Sequence, residues 1–162
     1  MFKSKKRVVC GLMACIALLS LLVLCCGCGS KWVVEPGMSE ADFHEVLIDQ
    51  GFEQVGKKHV GVIEGIGQIE IRPKFDGDGN TGNLREVKLR TENPDGLKKY
   101  LMDEVGGFEQ VEYNGQTMYV YDKNGTFAAY RDGDDTIRFH FEEYSSSDTK
   151  EDIKEFREAI GK

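Results

Sequence analysis

The chain has 162 residues, a net charge of −7, and five cysteines, all at or before position 28. A disulfide framework would put cysteines in the folded part, so none is expected there. An acidic chain is repelled by nucleic acid and by anionic lipid surfaces. The length suffices for one domain with a real core, and three prolines with 40% hydrophobic residues argue against disorder.

Lys3, Lys5, Lys6 and Arg7 precede an uncharged apolar run from Val8 to Cys28, the charge pattern of an export signal. At roughly 19 residues the run is also long enough to span a bilayer. Two readings therefore stand, a cleaved signal and a retained membrane helix. Leu24-Cys25-Cys26-Gly27-Cys28 resembles the lipobox of bacterial lipoproteins, with Gly27 at the small position before the cut. The resemblance implies diacylglycerol on the Cys28 thiol, removal of residues 1–27, and a short lipidated tether over 28–31. Cys25 and Cys26 depart from the usual Leu and small residue, which leaves Cys26 as the alternative to Cys28 for cleavage and lipidation. The lipoprotein reading is preferred over the uncleaved anchor. Either one holds the folded part at the extracytoplasmic face of a cell membrane, through acyl chains or a helix buried in lipid. Removing the four leader cations from −7 leaves an exported part near −11.

Trp32-Val33-Val34 reads as a short strand, with Trp32 in the core in preference to an interfacial anchor. Glu35-Pro36-Gly37-Met38 is a turn into a helix that Ser39 caps with Asp42 three residues on. Phe43, Val46, Leu47 and Gln50 share its face, and Gly51 ends it. Pro36-Gly37-Met38-Ser39 resembles the helix entry of small outer-membrane-assembly lipoproteins and of β-lactamase-inhibitor-type repeats. Val60 and Val62, Ile69 and Ile71, and Val87 and Leu89 each alternate with polar or small residues. That period marks half-buried antiparallel strands. A second helix starts at Asn93-Pro94, carries Leu97, Leu101 and Val105 on one stripe, and stops at Gly106-Gly107.

Gly51-Phe52-Glu53-Gln54-Val55 recurs as Gly107-Phe108-Glu109-Gln110-Val111, each copy just after a helix. Duplication of a helix-plus-meander unit with a period of roughly 55 residues is the preferred reading. In the second copy Asn114-Gly115 and Asn124-Gly125 are two-residue hairpin turns. Asp132-Gly133-Asp134-Asp135 is a third turn. Strands are expected near 108–113, 116–122, 126–131 and 136–143. A last helix, capped at Asp148-Thr149, turns Ile153, Phe156 and Ile160 inward. The expected fold is α+β. An αβββ unit (32–92) and an αββββ unit (93–162) pack their helices on one sheet face, and a C-terminal helix follows.

The third turn sets which residues share a face. A three-residue loop, Gly133-Asp134-Asp135, would gather Val111, Met118, Val120, Phe127, Ala129, Phe139 and Phe141 into a core. The other face would then display Tyr119, Tyr121, Tyr130, Arg138 and His140 as a candidate recognition surface, since Tyr and Arg are favoured interface anchors. The bland alternative is a solvated face with Tyr119 and Tyr130 as a cross-strand pair.

Asp76-Gly77-Asp78-Gly79-Asn80 resembles the start of an EF-hand loop, which implies Asp76, Asp78 and Asn80 as calcium ligands. Thr81 stands where that pattern has Gly, and Val87 where it has Glu, so an acidic flexible turn is preferred. His44, His59 and His140 lie on different elements and outside any zinc spacing. No nucleophile elbow or phosphate-cradling loop is present in the sequence. The expected function is a non-catalytic binding or scaffolding module with an envelope protein as partner, membrane lipid as anchor, and no nucleic acid. The alternatives are an inhibitor-like protein that binds an extracellular enzyme through its sheet face, and a calcium or solute sensor.

Overall fold

The computed structural model describes residues 34–77 and 82–162. The leader, Cys28, Cys26, the tether, Trp32, Asp78 and Asn80 lie outside the described residues.

Local chemistry places the first elements. Pro36 and Gly37 form a tight turn in which the Met38 N–H donates to the Glu35 carbonyl at 3.2 Å. Gly37 has φ +75°, a value that a glycine tolerates and a Cβ resists. Ser39 caps α1 (Glu40–Asp49) by accepting from the Asp42 N–H, and Phe43 and Leu47 are its buried residues. Four strands follow: β1 (Glu53–Val55), β2 (Lys58–Ile63), β3 (Gly67–Asp76) and β4 (Asn83–Thr91). The expectation of three missed β1, which is three residues long with every side chain exposed, so it has no burial alternation to read.

Asn93 caps α2 (Pro94–Tyr100), which runs on into one π-helical turn, Leu101–Val105, closed where the Gly106 N–H donates to the Leu101 carbonyl. Then come β5 (Glu109–Tyr113), β6 (Gln116–Lys123), β7 (Thr126–Arg131) and β8 (Thr136–Phe141). Asn114-Gly115 and Asn124-Gly125 take positive φ at both positions, as two-residue hairpin turns require. A 3₁₀ turn, Glu142–Tyr144, leads to α3 (Ser147–Ala159). Its cap is Ser146, whose hydroxyl accepts from the Thr149 N–H, in place of the expected Asp148.

The strands form one antiparallel sheet in the order β1-β2-β3-β4-β8-β7-β6-β5. The β4–β8 pairing joins the two meanders edge to edge. On the inner face Phe43 and Leu47 of α1 and Leu97, Tyr100 and Leu101 of the second helical segment share one core with Ile69, Ile71, Leu84, Val87 and Leu89. A bulge at Arg85 makes this possible. Lys74 pairs with Glu86 and Phe75 with Leu84, which skips Arg85 and returns Leu84 to the face of Val87.

The register of β7 and β8 corrects the sequence reading. Phe127 lies opposite His140 and Ala128 opposite Phe139, so the connection is the four-residue loop Asp132–Asp135. Directly opposed residues share a face. Phe139 and Phe141 therefore join the tyrosines on the inner face. Val120 and Phe127 lie on the outer face, where Ile153 of α3 covers them together with Val111, Met118, Ala129 and Phe156. The helices thus occupy both faces of the sheet, α1 and α2 on one and α3 on the other.

Candidate binding face

The five residues expected to share a recognition surface are split by the sheet. Tyr119, Tyr121 and Tyr130 point inward, and Tyr121 and Tyr130 are buried in the main core. The Tyr130 hydroxyl donates to the carbonyl of Asp134 at 2.9 Å, and burial pushes its phenol up to about 12. Tyr119 lies opposite it, with ring centroids 6.4 Å apart and the Lys98 ammonium 5.0 Å from the Tyr119 ring centroid. These tyrosines pack and fix the hairpin; they form no exposed aromatic patch.

Arg138 and His140 point outward and meet at Glu86. Glu86 pairs with His140 across β4–β8 and with Lys74 across β3–β4. Its carboxylate is almost fully buried. Oε2 accepts from Lys74 Nζ at 3.0 Å and lies 3.6 Å from His140 Nδ1, and Arg138 Nε stands 4.0 Å from Oε1. Burial, foremost, holds the His140 imidazole below its ordinary value, and the Glu86 carboxylate opposes that shift.

Arg138 also belongs to a larger pattern. Arg72 lies directly opposite Lys88, and Lys88 directly opposite Arg138, on three adjacent strands. Three cations in one cross-strand row repel one another at a separation where opposite charges would attract. Lys58, Lys74 and Arg90 flank the row. Glu70 bonds Lys58 and Arg72, and Asp135 bonds Arg90. The Glu70 carboxyl is held below the usual carboxylate range chiefly by its bond from Lys58. Toward the β1 edge the same face carries Val55, Val60 and Val62, the last 67% exposed. The start of α3 reaches only the Glu86–His140 corner of this half, where Ser146 and Thr149 line a gap with Lys74, Arg85 and His140; among the described residues no helix residue is seen against Arg72, Lys88 and Arg138.

The sequence reading also missed a contact beneath it. His44 on α1 and His59 on β2 share a hydrogen bond, Nδ1 to Nε2, at 2.9 Å, and His44 Nε2 lies 3.3 Å from Glu40 Oε1. A carboxylate only accepts. With Glu40 as acceptor, a neutral His44 carries its proton on Nε2, and His59 then donates from its own Nε2. His59 Nδ1 is then a buried acceptor with no partner among the described residues. Burial, and after it the neighbouring His44, lowers the His59 imidazole to about 4. Their 15-residue separation gave no sign of this. Only the position of His44, one residue after inward-facing Phe43, hinted that it flanks the core.

Asp76 accepts from the Asn83 N–H at 2.5 Å and closes the β3–β4 connection. Among the described residues no three His, Cys, Asp or Glu side chains are placed to hold a metal ion, and no helix is long and apolar enough to cross a membrane. No protein-family model, curated protein or solved structure matches this chain.

Proposed function

We propose that the protein is a lipid-anchored extracytoplasmic module that binds a partner protein, without catalysis, through the unroofed half of its sheet. The observation that carries this is the row Arg72–Lys88–Arg138. It costs stability where it stands, and a chain carrying an overall charge of −7 concentrates its cations there. An acidic surface on the partner would relieve that repulsion and match the sign of the face. Glu70 and Glu86, set among the cations, favour a patterned protein surface over a uniform polyanion. The exposed valines beside the row supply apolar contact area.

The address rests on the basic, apolar leader and its lipobox-like end at Cys28. The unit structure supports duplication as the origin of the fold. Each of α1 and α2 is followed by a four-stranded meander. Glu53 pairs with Val60, and Glu109 with Val120, at the start of each meander. Phe52 and Phe108, one residue earlier, then rest on Gly61 and Tyr121 respectively. A shared ancestor explains why the same five letters occupy the same place twice.

The test is affinity capture on the full-length lipidated chain with Lys88→Glu as the comparison. The proposal expects an envelope protein retained by the native chain and lost by the variant. An identical set of captured proteins from both sinks it.

A further inference from the structure

The longer reach of β3 leaves a gap beside it. The β2–β3 ladder stops near His59 and Ile71, while β3 continues to Asp76 paired only with β4. The gap between α1, the β1–β2 turn and this extension is a cleft of about 350 Å³. That volume lies within the range of small-molecule sites. Pro73 and Phe75 form an apolar wall, and Lys57, Lys74 and Arg85 bring cations to it. Glu40 is the carboxylate in the lining, and its Oε1 is occupied by His44 Nε2–H.

Arg85 is the residue skipped by the β4 bulge, the device by which a strand re-aims a side chain out of its ladder. Lys74 is held by Glu86. The side chains of Lys57 and Arg85 make no hydrogen bond or ion pair among the described residues. A planar guanidinium without a carboxylate partner, beside an ammonium and an apolar wall, is the arrangement that recognises an oxyanion attached to an organic body.

We propose that this cleft binds a small organic oxyanion, with its carboxylate or phosphate group on Arg85 and Lys57 and its body against Pro73 and Phe75. The cleft opens at the end of the sheet and shares only Lys74 with the open face, whereas Arg85 and Lys57 lie outside the cationic row, so each can fail without the other.

Calorimetric titration of the full chain in nonionic micelles tests it, with glycerol 3-phosphate in one arm and succinate in the other. Saturable binding is expected in at least one arm, with a dissociation constant of about 1 mM or tighter. The stronger arm tells whether phosphate or carboxylate is preferred. Arg85→Glu is expected to weaken that binding at least about tenfold, whereas Arg90→Glu, the same charge change on the open face, leaves it within about twofold. Should Arg85→Glu fail to fold, Lys57→Glu on the exposed turn takes its place with the same expectation. The absence of saturable heat in both arms, or equal weakening by the substitution at Arg90, overturns the proposal.

Discussion

The outer face of the sheet has two halves built on the same backbone and finished differently. Over β5–β7 the outward positions are Val111, Met118, Val120, Phe127 and Ala129, and α3 lies on them with Ile153 and Phe156. Arg157 fastens that helix. Its guanidinium donates to Asp122 at 2.5 and 2.8 Å and to Glu142 at 2.7 and 2.9 Å, which raises its pKa above the ordinary guanidinium value. Over β2–β4 and β8 the outward positions are Lys58, Arg72, Lys74, Lys88, Arg90 and Arg138, among glutamates and three valines, and the start of α3 reaches only the corner at Lys74, Glu86 and His140. One half spends its outward side chains on holding the chain together. The other half accepts like-charge contacts that folding alone would not select, and that difference is what marks it as a surface for something else.

Substitutions can break or sharpen this contrast. The largest effect is expected on the covered half. Phe127→Ala removes a buried ring beneath α3 and should lower unfolding stability by about 3–5 kcal/mol in a urea titration. The next is a pH effect beneath the open half. His59 has a folded pKa of about 4 against an ordinary 6.5. Below pH 6.5 the unfolded chain binds a proton that the folded chain refuses, so stability falls as pH drops from about 6.5 to about 4 and levels off below that. The full shift corresponds to about 3 kcal/mol. Denaturation midpoints measured across that range should show the slope, and His59→Phe should remove most of it. His140, lowered in the same direction, leaves a smaller remainder of the same sign.

Arg157→Met should cost about 1–3 kcal/mol, tempered by the partial exposure of the network, and should loosen α3 first in amide exchange. The smallest change is expected in the cationic row, and its sign is reversed. Lys88→Glu turns two repulsive cross-strand contacts into attractive ones and should stabilise the fold by about 0.5–1 kcal/mol. A destabilised variant would show that Lys88 is held by contacts other than those in the row.

Much of this architecture is legible in the residues. Pro36-Gly37, Ser39 with Asp42, Asn93-Pro94 and the two Asn-Gly turns each dictate a local geometry that the structure adopts. The face assignment was not legible, for a physical reason. Alternation identifies the buried side only when the other side is wet. Val120 beside Tyr121, and Phe127 beside Ala128, are buried toward opposite sides because α3 roofs the outer face. The hydrophobic pattern therefore gives no vote on loop parity, and a loop one residue too short turns Phe139 and Phe141 to the wrong face. For the same reason the sequence pattern puts the tyrosines outside, where the structure has them in the main core. Arg138 and His140 face outward on the side of Val120 and Phe127 and away from the tyrosines, and their neighbours there, Glu86 and Lys88, come from a strand in the other half of the chain. The bulge at Arg85 left no mark, since nothing in Leu84-Arg85-Glu86 distinguishes a skipped residue from a paired one.

The central claim, that the unroofed half is a docking surface and the α3 half is not, is tested most directly by site-specific photo-crosslinking in the native envelope. A crosslinker is placed in turn at Val62, at Lys88, and at Lys154 on the exposed side of α3. The account predicts one and the same crosslinked protein from Val62 and Lys88 and none from Lys154. A crosslink from Lys154 with nothing captured at Val62 and Lys88 would contradict it.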